Sequence, residues 1–146
     1  MTSDNKTLMH RWYEEVWNQG RVETIDELMA EGCVIHGLVD ASGKDIEGPA
    51  AFRAFHTQFR GAFPDITVNV EETIAENDLL VARCSVRGKH VGDSLGFKAT
   101  QAPVDFSGIS IVRVKDGKFV EAWNNFDFLT MNKHLGVLSG AALVRC

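Results

Sequence analysis

The sequence predicts an α+β fold: a curved antiparallel β-sheet with about three to four helices packed on one face. Three observations predict it. Apolar residues recur at helical spacing early in the chain, they alternate strictly from Ile66 onward, and the turn signals Glu76-Asn77-Asp78 and Lys115-Asp116-Gly117 interrupt the alternating stretches. Helices followed by long hairpins put the helices on one side of the sheet, and such a sheet can wrap a cavity. The 146 residues suit one domain over 1–146.

Leu8, Met9, Trp12, Tyr13, Val16 and Trp17 repeat about every four residues before Gly20, which makes the first element an amphipathic helix. A second, short helix over 22–29 would bury Val22, Ile25, Leu28 and Met29, with Gly32 beyond its end. A short strand over 33–38 carries His36, and a loop rich in Gly and Asp follows. Gly48-Pro49 opens a third helix with Pro in its first turn; Phe52, Phe55, Phe59 and Phe63 form its buried stripe, and Pro64-Asp65 ends it. Ile66, Val68 and Val70 begin the first hairpin. In its second arm Leu80, Ala82, Cys84 and Val86 share the apolar face, and parity places His90 with them. Strands over 104–114 and 118–126 form the second hairpin, and a last helix over 127–135 stops at Gly136.

Twenty acidic residues against fifteen Lys and Arg give a formal net charge of −5, which argues against a nucleic-acid partner. The longest apolar runs fall far short of a membrane span, and Met1-Thr2-Ser3-Asp4-Asn5 has neither a basic segment nor an apolar signal core. A cytosolic protein without a membrane partner is expected. Cys33, Cys84 and Cys146 lack metal or disulfide spacing and read as reduced thiols. His10, His36, His56, His90 and His134 are dispersed, so no metal is expected; no nucleophile elbow or phosphate loop occurs either. His56 is assigned to the polar side or the edge of its helix, and Arg53 and Arg60 to a solvated face.

Asp127 is the leading candidate for chemistry. Beside Phe119, Trp123 and Phe126 its carboxyl would be partly desolvated, which raises its pKa and suits it to exchanging protons near neutral pH. Asp is equally a preferred helix N-cap. Titration separates the two readings: a solvated cap titrates near or below about 3.9, a pocket acid clearly above. Trp12, Phe52, Phe55 and Trp123 are expected to supply the walls of a ligand cavity.

Several stretches together resemble the SnoaL-like polyketide cyclase family, within the nuclear transport factor 2-like cone fold, over nearly the whole chain. They are Gly48-Pro49-Ala50-Ala51-Phe52, Phe59-Arg60-Gly61-Ala62-Phe63-Pro64-Asp65, Val81-Ala82-Arg83 running to Gly88-Lys89-His90-Val91-Gly92, Phe106-Ser107-Gly108-Ile109, and Asp116-Gly117-Lys118-Phe119-Val120-Glu121-Ala122-Trp123. Asp127 through Leu135-Gly136 closes the set. The resemblance implies ring closure of a polyketide-like ester by intramolecular aldol condensation, with no metal or cofactor and an aspartate as acid and base. By resemblance that aspartate is Asp127, with His90 as its partner or as donor to the reacting carbonyl, and His36 as a secondary pocket residue. It also implies a homodimer formed through the sheet. Two departures stand out: Phe97-Lys98-Ala99-Thr100-Gln101-Ala102-Pro103 replaces a Pro-Pro-Thr-Gly-like stretch, and Gly88 stands where cyclases can carry an amide.

Two other readings compete. A ketosteroid isomerase-like site would use Tyr13 as an oxyanion donor, yet the strand for its base reads Val34-Ile35-His36-Gly37 and Ser110 stands near the place of its second acid. A pocketed small-molecule-binding or assembly protein would use Asp127 only as a cap, its Trp and Phe residues serving as core.

Overall fold

A computed structural model describes residues 2–39 and 42–137; Cys146 lies outside them. Helix α1 (Thr2–Arg11) runs directly into a π-helical segment (Trp12–Asn18), whose wider turns bring Trp12, Tyr13, Val16 and Trp17 onto one buried face. Two side chains fasten its end. Asn18 bonds the N–H and C=O of Val68 at 2.6 and 3.0 Å, and the Arg60 guanidinium donates to the Trp17 carbonyl. Arg60 therefore ties two helices together instead of belonging to a solvated face.

Helix α2 (Val22–Leu28) departs from its predicted face: Val22 is exposed, and Thr24 is buried, donating to Glu15 at 2.6 Å. No turn follows it. The chain passes straight into β1 (Met29–Val39), so the strand is longer than expected and contains Gly32. The predicted loop holds a short strand, β2 (Asp45–Glu47). Helix α3 (Gly48–Ala62) buries Phe52 and Phe59 as the stripe requires, with Phe63 buried just beyond it. His56 is a correction: it is buried, its Nε2 donates to the Val16 carbonyl at 2.6 Å, and burial lowers its pKa, which keeps it neutral.

The remaining strands are β3 (Thr67–Glu76), β4 (Leu79–Lys89), β5 (Pro103–Lys115) and β6 (Lys118–Phe126), followed by α4 (Phe128–Leu135). The β3–β4 turn holds Asn77 at φ 56°, and the β5–β6 turn holds Asp116 and Gly117 at 53° and 76°, as primed hairpin turns demand. One six-stranded sheet results, in the order β2-β1-β6-β5-β4-β3. Its β1–β6 pair is parallel, so the sheet is mixed where an antiparallel one was expected. Among the described residues no helix is long and apolar enough to cross a membrane.

Strand β5 alternates without fault, turning Phe106, Ser110, Val112 and Val114 inward. Strand β6 does not. Between Phe119, paired with Val114, and Glu121, paired with Arg113, the register slips by one residue. A slip of one exchanges the faces, so Ala122, Asn124 and Phe126 point inward and Trp123 points out.

Candidate functional site

The curled sheet, the π-helical segment and α3 enclose a cavity of about 80 Å³. Apolar side chains make most of its wall, among them Trp12, Trp17, Phe52, Phe55, Phe106 and Phe119. Phe55, Phe126 and Phe128, which also line it, are half-buried. This volume lies below the roughly 300–1,000 Å³ of pockets for drug-sized ligands, so a compact molecule fits.

Three of the lining side chains carry a hydroxyl or an amide, each from a different element: Tyr13 from the π-helical segment, Ser110 from β5 and Asn124 from β6. Tyr13 Oη lies 2.7 Å from Ser110 Oγ. Ser110 and Asn124 are direct cross-strand partners, which puts their Cβ atoms about 5 Å apart. Asn124 Nδ2 donates to the His36 carbonyl at 3.2 Å, and this fixes the amide's orientation, because only its nitrogen can serve a carbonyl. Burial pushes the Tyr13 pKa up and leaves the phenol protonated. It likewise pushes the Cys33 and Cys84 thiols up to about 11, so neither is a ready nucleophile.

The residues chosen from the sequence fall in separate places. Trp12, Phe52 and Phe55 line the cavity. Trp123 does not; the β6 bulge turns it outward, where it stacks on His36 with ring centroids 5.7 Å apart. His36 occupies the same outer face, Nδ1 at 2.9 Å from Asp45 and Nε2 at 2.8 Å from Glu121, and these two hydrogen bonds, Glu121's the larger, raise its pKa. His90 is fully buried against the rings of Phe63 and Phe97 and does not line the cavity. The Thr100 N–H donates to its Nδ1 at 3.1 Å, and its Nε2 has no partner among the described residues.

Asp127 is exposed and caps α4. It accepts from the Thr130 N–H at 3.0 Å and from the Thr130 hydroxyl at 2.6 Å. These bonds hold its pKa below the ordinary carboxylate value, the opposite of the expected direction. No carboxyl and no imidazole lines the cavity among the described residues. Nor do three His, Cys, Asp or Glu side chains converge there into a group able to hold a metal ion.

In the sequence Tyr13 and Ser110 stand out only through the isomerase comparison, and Asn124 does not stand out at all. For Ser110 the signal was present: a hydroxyl at an inward parity position between Phe106 and Val112. For Asn124 it was hidden by the bulge, since alternation counted from Phe119 turns Asn124 outward.

A curled sheet closed by helices around a mainly apolar blind cavity defines a cone-fold protein of the nuclear transport factor 2 type. The chain belongs to the SnoaL-like polyketide cyclase family, whose model matches residues 7–135. Curated relatives include the aklanonic acid methyl ester cyclases DauD of Streptomyces sp. (strain C5) and DnrD of Streptomyces peucetius, each 28% identical over 123 residues. The match covers 84% of this chain, 76% of DauD and 84% of DnrD. Among solved structures, IdmH from Streptomyces antibioticus superposes with a TM-score of 0.76 at 30% identity, covering 94% of this chain and 99% of IdmH. TsrD from Streptomyces laurentii shares the fold, with a TM-score of 0.81 at 23% identity over 94% of this chain and 98% of TsrD.

Proposed function

We propose that the chain acts on a small, largely apolar carbonyl compound held in the cone, by cofactor-independent acid–base chemistry such as intramolecular aldol closure or a related isomerisation. The carrying observation is the hydroxyl pair of Tyr13 and Ser110 beside Asn124 in an otherwise apolar cavity. Two hydroxyls joined by one hydrogen bond carry one hydrogen more than that bond uses; the Tyr13 hydroxyl also bonds the Cys84 sulfur, a weak partner that a ligand oxygen would displace. Asn124 spends one N–H on His36 and keeps its Oδ1 and second N–H. A donor beside an acceptor suits a carbonyl next to an enol, and the donor's bond would strengthen as negative charge develops on an enolate oxygen. Because a carbon flanked by two carbonyls is already acidic, positioning and one proton acceptor complete the requirements.

Asp127 is the proposed acceptor. It sits between Phe126 and Phe128, both cavity residues, and serves when its carboxylate leaves Thr130. His90 and His36 act in this reading by supporting the site from outside it. A second reading, binding without turnover, is favoured by the lack of any carboxyl among the lining residues. In either reading the outer face of the sheet pairs with a second copy, through a row running Ile74, Val81, Ile111 and Trp123 across β3, β4, β5 and β6. Ile74 and Ile111 are 57% and 37% exposed there, an apolar surface that a homodimer would cover.

The test incubates wild-type, Asp127→Asn and Tyr13→Phe proteins with β-keto esters and aromatic polyketide esters, followed by native mass spectrometry. Conversion by wild type that Asp127→Asn loses, with binding kept, supports the enzymatic reading. Conversion that Asp127→Asn keeps removes Asp127 from the reaction, and binding without conversion by any of the three selects the second reading. Tyr13→Phe is expected to weaken binding about tenfold, as loss of a hydrogen bond worth about 1.4 kcal/mol would; unchanged affinity would locate the ligand oxygen elsewhere.

A further inference from the structure

His36 was expected in the pocket and lies on the other side of the sheet, yet its main chain bonds a residue that lines the pocket. Its carbonyl accepts the Asn124 amide on the inner face, at 3.2 Å, while its imidazole lies between two carboxylates on the outer face. Asp45 comes from β2 and Glu121 from β6, so the ring spans β1 and joins the strands on either side of it. Ionised carboxylates only accept, so holding both requires both ring nitrogens to donate, which is the protonated form.

The strands are close here. His36 pairs with Trp123 in parallel register, and a Cβ on Gly37 would fall 1.9 Å from the Asn124 carbonyl oxygen. Trp123 stacks on the ring from β6. Other charges nearby are Glu47, opposite Val34 on β2, and Arg113, opposite Glu121 on β5 and bound to both Asp78 oxygens at 3.0 and 2.8 Å.

We infer that His36 is a positioning residue for the cavity amide: its imidazolium clamps β2 and β6 onto β1, and the clamped backbone carbonyl sets how Asn124 presents itself to a ligand. The role of Asn124 toward a ligand rests on the function proposed above, whereas the coupling between His36 and Asn124 exists without one. Because both carboxylates favour the charged ring, the clamp is complete below the ordinary histidine range and is released as pH rises through the raised pKa of His36.

The test is a ligand-free NMR titration from about pH 5 to about pH 9, following the His36 ring and the Asn124 side-chain amide together. In wild type the Asn124 amide resonances shift with the same midpoint as the His36 ring. In Glu121→Gln both midpoints move down together, and in His36→Asn the pH response of Asn124 disappears. An Asn124 amide that stays constant while His36 titrates overturns the inference, as does one that still titrates in His36→Asn. Should His36→Asn not fold, Glu121→Gln decides alone: a ring midpoint that moves while Asn124 does not follow overturns it. Because no substrate is present, failure here is distinct from failure of the proposed reaction.

Discussion

At the scale of single residues, Asp127 shows how one carboxyl can carry two separable properties. As a cap it accepts an N–H and a hydroxyl from Thr130. Asn caps nearly as well as Asp, whereas Ala does not cap. Asp127→Ala is therefore expected to lower stability by about 1 kcal/mol in urea unfolding at neutral pH, and Asp127→Asn to cost much less. The folded pKa is depressed, so the ionised cap's contribution is complete above the ordinary carboxylate range and fades as pH falls through it. The gap between wild type and Asp127→Ala should close toward low pH; a constant gap would mean that ionisation of the cap contributes nothing. An Asp127→Asn protein that folds normally thus makes a clean test of proton transfer.

At the scale of elements, most of the architecture was legible because periodicity and turn chemistry act locally. The Phe52 and Phe59 stripe, the two hairpin turns and the inward course of Leu80, Ala82, Cys84 and Val86 each follow from a few neighbouring residues. What was illegible depended on contacts distant in sequence. The β6 bulge exchanges Trp123 for Asn124, the parallel β1–β6 pairing joins residues about ninety positions apart, and the burial of His56 needs the Val16 carbonyl from another helix. Gly37 records the same closeness of β1 and β6. It has φ +88° and no room for a Cβ against Asn124, whereas a Cβ on Gly43, at φ +85°, meets no described residue within 4 Å. Both alanine substitutions carry the backbone cost of positive φ, of order 1–3 kcal/mol. Only Gly37→Ala should add the cost of separating two strands, so its urea midpoint should fall well below that of Gly43→Ala; equal midpoints would mean that the β1–β6 pair yields without cost.

At the scale of the whole molecule, the sheet has two working faces. The inner one encloses the cavity, and the outer one carries Ile74, Val81, Ile109 and Ile111 among the ion pairs Arg83–Glu72 and Arg87–Asp105. If two copies meet there, a charge at its centre must be desolvated without a partner. Ile111→Lys is then expected to turn a dimeric wild type into a monomer in sedimentation equilibrium while leaving ligand affinity within about twofold, a span of roughly 0.4 kcal/mol. A variant that stays dimeric would place the contact elsewhere. The division of the sheet also sorts the tryptophans: Trp12 and Trp17 look into the cavity, while Trp123 lies against the His36 ring outside it. Intrinsic fluorescence is therefore a sum of two signals, one answering to whatever fills the cone and one to the charge on a single imidazole, and the protein carries separate optical readouts for its two faces without any added label.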